Sequence, residues 1–271
     1  RNIELYQQSG LPYEVIPPSE AARRHPAMSI PDDALVCYTP FAGFLDAARC
    51  VDTHVAMAVN GGAEVLQECK VLNIDLSGEY PEVHTSEGKF RARRLIVAGG
   101  PWSGDLMGDL AIPLKVTRQQ KCYFTCDRSK DHLPASLPVY ADYETDYYGF
   151  PWYGSGVKVA DDIHGPTIHP DQVDRAPDKG LAANLQNWLQ KLMPYRKFTY
   201  HSTDTCMYTV TPDRDFILGR HPEHAGVILG AGFSGHGFKF TTLIGRWLAD
   251  LALRDETNYD MSRFSPDRFT V

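Results

Sequence analysis

The sequence predicts an α/β fold that is interleaved with an antiparallel β domain. An apolar, β-branched run at 94–98 ends in Gly99-Gly100, as expected of a buried strand. A second strand, 226–229, is followed by a glycine turn and a helix that reaches about Leu253. The segment from about 113 to 212 differs, because it is rich in Tyr and Phe and contains strand-like stretches. These three observations indicate two kinds of domain in one chain.

We divide the chain accordingly. The antiparallel β domain is predicted at 1–36 and 113–212, and the α/β domain at 37–112 and 213–271. At 271 residues the chain is long enough for one large domain or two modest ones.

Composition excludes several classes of protein. Apolar residues make up 43% and charged residues 23%, as in soluble globular proteins. No apolar run approaches the roughly 20 residues of a membrane-spanning helix. The net charge of −7 and the lack of a basic stretch argue against nucleic acid as a partner. Six scattered cysteines indicate free thiols in a reducing compartment, so we expect a cytoplasmic protein.

Helices are predicted from apolar spacing. One begins at Asp46, carries an apolar face that includes Val51 and Val55, and ends at Asn60-Gly61. A second has Leu181, Leu185, Trp188, Leu189 and Leu192 on one face and stops before Pro194. A short helix at 19–24 begins with a Ser cap. Further strands are predicted at 64–66, 70–74, 82–85, 89–92, 119–125, 147–151 and 156–160.

The glycine turn after the last strand has two interpretations. Gly230-Ala-Gly-Phe-Ser-Gly235 fits the G-x-G-x-x-G pattern that holds a dinucleotide pyrophosphate at a helix N-terminus. That pattern requires an acidic residue at the end of a second strand, whereas Asp250 lies inside the predicted helix. The context therefore favours a turn whose backbone closely approaches another group.

Three longer blocks carry a family resemblance. They are Phe233-Ser-Gly-His-Gly-Phe-Lys-Phe240, Thr205-Cys-Met-Tyr-Thr-Val-Thr-Pro-Asp-Arg-Asp-Phe216 and Tyr147-Tyr-Gly-Phe-Pro151. Together, and in order over nearly the whole chain, they resemble the flavin-dependent amine oxidases typified by monomeric sarcosine oxidase and N-methyltryptophan oxidase. The resemblance implies a Rossmann-like FAD-binding domain interleaved with an antiparallel β substrate domain.

The resemblance assigns roles to Cys206 and Lys158. Cys206 matches a cysteine that forms a thioether with the 8α-methyl of FAD, so the cofactor is expected to be covalent. The alternative is a buried structural thiol. Lys158 matches a lysine beside flavin N5 that promotes the reaction with O₂, where a fixed positive charge stabilises developing negative charge. A lysine in an apolar strand is costly without a task, although it could instead extend to solvent.

The remaining site residues follow from the same resemblance. Lys239 matches a lysine that binds the substrate carboxylate, and Tyr148 and Tyr208 match tyrosines that position the amino acid; either could instead be an ordinary half-buried aromatic. The residues expected to border FAD, besides Cys206 and Lys239, are Lys70, Val71, Gly99, Gly100, Gly232, Phe233, Gly235, His236 and Gly237.

Two features depart from the family pattern. At the amine end of the substrate the family has a histidine, where this chain has Asp162, with His164 two residues later. The family also begins with a βαβ fingerprint for the FAD pyrophosphate and an arginine segment, and neither lies in these residues. The FAD-binding domain is therefore expected to be incomplete here.

The implied activity is oxidation of a secondary or N-methyl amino acid. A hydride passes from the carbon next to nitrogen to flavin N5, the imine hydrolyses, and O₂ is reduced to H₂O₂. One alternative is a dehydrogenase with another electron acceptor, and another is a catalytically silent fragment or carboxylate-binding module without flavin. A zinc site at His221/His224 or Cys122/Cys126 lacks the other ligands. The amine oxidised and the oligomeric state are left open.

Overall fold

The computed structural model describes residues 2–107, 112–127 and 129–269, and these form both helices and strands. The helices are α1 Asn2–Ser9, α2 Pro18–Arg24, α3 Ala47–Asn60, α4 Ser103–Leu106, α5 Lys179–Leu192 and α6 Thr241–Arg254. The strands are β1 Glu14–Ile16, β2 Val36–Tyr38, β3 Val71–Asp75, β4 Glu82–Thr85, β5 Gly88–Arg91, β6 Leu95–Val97, β7 Lys115–Cys126, β8 Tyr140–Asp142, β9 Tyr147–Tyr153, β10 Gly156–Asp161, β11 Phe198–Val210, β12 Ile217–Arg220 and β13 Val227–Ala231.

The chain divides into two units, each built from three segments. The first comprises the chain up to Phe44, Gln119–His164 and Asp174–Cys206. The second comprises Leu45–Arg118, Gly165–Val173 and the chain from Met207. The assignment of a substrate role to one unit and an FAD role to the other remains a prediction.

The core of the first unit lies between α5 and one face of a five-stranded sheet. The sheet has the order β11-β7-β10-β9-β8, with β10 antiparallel to both β7 and β9. Helix α5 begins where the Asp178 carboxylate accepts a hydrogen bond from the Leu181 N–H at 3.0 Å. Leu185 and Leu189 are fully buried against the sheet, and each such leucine contributes about 1.5–3 kcal/mol.

The second unit contains a three-stranded sheet of order β12-β13-β6, in which β13 pairs in parallel with β6. Every residue of β13 is buried because both faces of the sheet are covered. Val227 and Leu229 pack into a cluster with Val97, whereas Ile228 packs with Ile244 of α6. This is the α/β arrangement that the sequence predicts.

A small antiparallel sheet of order β3-β4-β5 also belongs to the second unit. Helix α3 has the predicted position, with Asp46 as its N-cap, but none of its residues is buried. Val51 is 49% exposed and Met57 is 67% exposed, so the predicted apolar face does not enter a core of this structure.

Two local predictions are wrong. Residues 64–66 do not form a strand, because the two glycines after α3 lead into an irregular segment. Helix α2 begins after Pro17, and no side chain caps it, so Ser19 lies inside the helix and is not its cap. Proline fits the start of a helix because its fixed φ angle is already helical there.

The structure can be compared with the sequence analysis for membrane-spanning helices, cysteines and metal sites. Among the residues it describes, no helix combines the length and apolarity that crossing a membrane requires. All six cysteines are free thiols. The described part of the chain brings no three His, Cys, Asp or Glu side chains together as a metal-binding group, and His221 and His224 simply pack ring against ring with centroids 4.8 Å apart.

Candidate active site

The five-stranded sheet of the first unit has one apolar face, which packs in the core, and one face that carries polar and charged side chains. Cys122, Phe124, Val157 and Val159 are fully buried in the core beneath α5. Successive residues of a strand point to opposite faces, so their neighbours Lys121, Tyr123 and Lys158 project from the other face. In the β7–β10 register, Lys158 lies opposite Tyr123, and Ala160 lies opposite Lys121.

The same face continues onto the flanking strands. On β9, Phe150 lies opposite Lys158 and Tyr148 opposite Ala160. On β11, Thr203 and Thr205 hydrogen-bond to the core-facing Cys122 and Gln120, so Asp204 and Cys206 face the other way. We call this surface the site face; it is formed by Lys121, Tyr123, Tyr148, Phe150, Lys158, Asp204 and Cys206.

The Lys158 ammonium on the site face is held against an aromatic ring. Its Nζ lies 3.5 Å from the centroid of the Phe150 ring, which is the geometry of a cation–π interaction. Burial and the neighbouring Lys121 lower the pKa of Lys158 to about 8, while Cys206 and Asp204 act in the opposite direction. The side chain is therefore mainly charged at neutral pH and loses its charge under mildly alkaline conditions.

Asp204 connects two further side chains on the site face. Its carboxylate lies 3.6 Å from the Lys121 ammonium and accepts a hydrogen bond from the Tyr123 hydroxyl at 3.0 Å. Burial and the Asp204 charge raise the pKa of Tyr123, so this phenol stays protonated. The sequence reasoning missed Lys121, Tyr123, Asp204 and Phe150. The polar–apolar alternation of Lys121-Cys122-Tyr123-Phe124 is the signal that could have found the first two.

Cys206 lies half-buried on the site face. Burial is the main cause of a raised pKa for its thiol, and Asp204 adds to the effect, while Lys121 and Lys158 oppose it. The thiol is consequently protonated at neutral pH and must lose that proton before it can act as a nucleophile.

In the second unit, two glycine turns lie at one edge of the sheet. Strands β6 and β13 run in parallel, with Val97 opposite Leu229. The carboxyl ends of parallel strands meet at one edge, so the turn with Gly99 and Gly100 lies beside the turn that begins at Gly232. Gly100 has a φ of +53° and nothing within 4 Å of a would-be Cβ. The structure thus brings these sequence-predicted glycines together.

The second glycine turn is held by hydrogen bonds to the end of β11. Gly232, Ser234 and Gly235 have φ angles of +64°, +48° and +85°, which are left-handed conformations. The Ser234 N–H donates to the Thr209 carbonyl at 3.0 Å, and its hydroxyl donates to the Gly232 carbonyl at 3.1 Å. A Cβ on Gly235 would lie 2.4 Å from Tyr208 Cε2, so only glycine lets the turn lie against this ring.

The other residues predicted to border FAD in and after this glycine turn each contact different neighbours. His236 packs on Phe216 with ring centroids 4.9 Å apart. Its Nε2 lies 3.1 Å from the Arg214 carbonyl, and the tautomer with hydrogen on Nε2 donates to that oxygen. Phe233 packs closely against Gly237. Lys239 is exposed just before α6, with Nζ 5.6 Å from the Phe240 ring.

Lys70 and Val71 lie on the small sheet. The exposed Lys70 exchanges hydrogen bonds with Ser86, its N–H donating to the hydroxyl at 3.1 Å and its carbonyl accepting from the Ser86 N–H at 2.9 Å. Val71 opens β3 and is 36% exposed. Asp162 is exposed immediately after β10, where its N–H donates to the Asp146 carbonyl at 2.9 Å, and His164 is half-buried nearby in sequence.

Comparison with known proteins gives a consistent result. Residues 1–251 match the family described as FAD dependent oxidoreductase. The chain is 33% identical to monomeric sarcosine oxidase from Arthrobacter sp. (strain TE1826), over 98% of this chain and 70% of that protein. It is 27% identical to N-methyl-L-tryptophan oxidase from Citrobacter koseri, over 97% and 71%. In fold it resembles L-proline dehydrogenase from P. horikoshii, with a TM-score of 0.85 at 22% identity, over 99% and 72%.

Proposed function

Because the chain belongs to the FAD dependent oxidoreductase family, we propose that it oxidises a secondary or N-methyl amino acid and passes the electrons to O₂. The observation that carries this proposal is the site face, which gathers Lys158, Cys206 and Tyr148 on one side of one sheet. The names of relatives such as monomeric sarcosine oxidase suggest the substrate class. A cytoplasmic location belongs to the same proposal, since all six cysteines are free.

The residues of the second unit fit an FAD dinucleotide. The Gly99-Gly100 turn at the carboxyl edge of a parallel strand pair is a feature that binds phosphate groups, and the space within 4 Å of a would-be Cβ on Gly100 is open. We assign Gly99 and Gly100 to the phosphates, 232–237 to the flavin ring, and Lys70 and Val71 to the adenine border. When bound, the flavin supplies the acceptor for a hydride from the carbon next to the amine nitrogen.

Cys206 is proposed as the covalent attachment point. Its position on the site face leaves the thiol half-buried, and the two lysines nearby favour the thiolate that such an attachment needs. Precipitation of the protein in acid tests this assignment, because a covalent flavin stays with the pellet. In Cys206→Ser the flavin should pass into the supernatant, whereas Cys126→Ser, a matched half-buried thiol of the first unit, should retain it.

Substrate binding is assigned to Lys239, Tyr148 and Tyr208. The exposed ammonium of Lys239 can neutralise a substrate carboxylate, and the tyrosine hydroxyls can donate or accept hydrogen bonds that orient the amino acid. We expect Lys239→Met to raise KM for an amino acid far more than KM for the matching amine without a carboxylate. If Lys239→Met raised KM equally for both substrates, Lys239 would not bind the substrate carboxylate.

Lys158 is assigned to the reaction with O₂. Its ammonium, fixed over Phe150 and partly desolvated, stabilises the negative charge that develops on O₂ as electrons arrive. In the complete reaction the amino acid loses a hydride and a proton, and O₂ gains two electrons and two protons to become H₂O₂. The imine that remains is hydrolysed by water.

The experiment that tests the function is oxygen consumption with a panel of N-methyl and cyclic secondary amino acids. We expect one H₂O₂ per O₂ consumed with at least one of them. If an artificial acceptor is reduced while O₂ is not consumed, the chain is a dehydrogenase. If neither acceptor is reduced with any substrate of the panel, the proposed activity is wrong.

A further inference from the structure

Three polar side chains of the site face have no part in the activity proposed above. They are Lys121, Tyr123 and Asp204, and Asp204 joins the other two through distances of 3.6 Å and 3.0 Å. Asp204 lies on β11 and the other two on the neighbouring strand β7. The cluster is therefore an ion pair with a phenol that anchors its carboxylate.

This cluster borders Lys158 directly. Lys158 lies opposite Tyr123 in the β7–β10 register, and Lys121 lies opposite Ala160, the next residue of β10 on the same face. Cross-strand neighbours and diagonal neighbours on one face are close enough for their charges to interact. Lys158 thus has one like charge, Lys121, on the adjoining strand β7 and one opposite charge, Asp204, on β11, the next strand beyond it.

The other side chains of the site face that approach Lys158 are two aromatic rings and a thiol. Tyr148 and Phe150 approach from β9, and Phe150 contributes only the face of its ring. Cys206 approaches from β11 as a protonated thiol because burial raises its pKa. Asp204 and Lys121 form the ion pair beside Lys158, and they act on the protonation of Lys158 in opposite directions, whereas Cys206 adds to the effect of Asp204 only as a thiolate.

We infer that Lys121 and Asp204 are positioning residues that set the charged fraction of Lys158. Burial brings Lys158 near the point at which its charge is lost. There Asp204 favours the ammonium form and Lys121 disfavours it, so either residue alone shifts the charged fraction of Lys158 and the two together balance each other. The hydrogen bond from Tyr123 fixes the carboxylate that maintains this balance. The consequence for the O₂ reaction rests on the proposed function of Lys158, whereas the electrostatic coupling does not.

The coupling is measured by NMR titration of the ¹³Cε signals of labelled lysine, with Lys158 assigned from the signal missing in Lys158→Arg. Asp204→Asn should lower the pKa of Lys158 by about half a unit to one unit, and Lys121→Met should raise it by a similar amount. The double variant should return close to the original value, since the two effects cancel. A merely structural role would not move the pKa in opposite directions.

Matched controls change charges away from the site face. Glu144 and Lys197 are exposed residues of the first unit, so Glu144→Gln and Lys197→Met should leave the Lys158 titration unchanged. Since the Asp204 side chain is 56% exposed, its effect should shrink in 1 M salt. If Asp204→Asn and Lys121→Met shift the pKa in the same direction, or neither shifts it, the inference is wrong.

A kinetic readout separates this inference from the proposed function. In stopped-flow reoxidation of the reduced enzyme, the alkaline fall in rate should move with the pKa that NMR gives for each variant. If Lys158→Met reoxidises as fast as the unchanged protein while the NMR shifts occur as expected, the O₂ role of Lys158 fails. The electrostatic assignment of Lys121 and Asp204 would then stand on its own.

Discussion

Replacing Gly235 with alanine should damage both the stability of the chain and the position of Tyr208. Gly235 has a φ of +85°, which costs a residue with a side chain about 1–2 kcal/mol. The new Cβ would also lie 2.4 Å from Tyr208 Cε2, about 1 Å inside van der Waals contact. The ring must therefore move by about that distance. If Tyr208 positions the substrate as proposed, a misplacement of this size costs on the order of 100-fold in rate.

Urea denaturation and steady-state kinetics measure the two effects. Gly62→Ala is the matched control, because Gly62 also has a positive φ, +93°, but has nothing within 4 Å of a Cβ and has no role in the candidate site. It should lose only the backbone contribution of about 1–2 kcal/mol. Gly235→Ala should lose more free energy of unfolding than this control.

A double-mutant cycle isolates the contact with the ring. In a Tyr208→Ala background there is no ring to meet the new Cβ, so Gly235→Ala should cost only the backbone contribution. If Gly235→Ala costs the same with and without the Tyr208 ring, the close packing of turn and ring is not what requires glycine at this position.

Two further predictions concern the first unit. The pKa of Lys158 is about 8, and the proposed reaction with O₂ uses its charged form. Reoxidation measured by stopped-flow should therefore be fastest below pH 8 and fall about tenfold by pH 9, and a rate that rises with pH would contradict this proposal. Leu185 is fully buried, so Leu185→Ala should lower the free energy of unfolding, measured in urea, by about 2–5 kcal/mol. Leu253 is 83% exposed, so the control Leu253→Ala should change this free energy little. Equal losses in the two variants would mean that α5 does not form the core.

Local pattern predicted much of the fold. The alternation and length of apolar runs located β6, β10 and β13, and the spacing of leucines before Pro194 located α5. The family resemblance then supplied the FAD-linked fold that the comparisons confirm. Local sequence did not predict which helix faces are buried. The apolar residues on one face of α3 are spaced as in a helix that packs on a core, yet none of them is buried.

Strand pairing explains why part of the candidate site was not predicted. Lys158 stood out as a cation in an apolar strand, and Cys206 as part of a specific block. Asp204 and Lys121 gain their significance only when β11 lies beside β7, and these strands are far apart in sequence. No periodicity within either strand contains that register.

Stopped-flow absorbance of both half-reactions in Lys158→Met separates the proposed role of Lys158 in the O₂ reaction from any role in substrate oxidation. Anaerobic reduction by the substrate should stay within a few-fold of the unchanged protein, because Lys158 does not bind the amino acid in this account. Reoxidation by O₂ should slow by about 100-fold or more, because the fixed positive charge is lost. A variant that is slow to be reduced but is reoxidised at the normal rate would contradict the account.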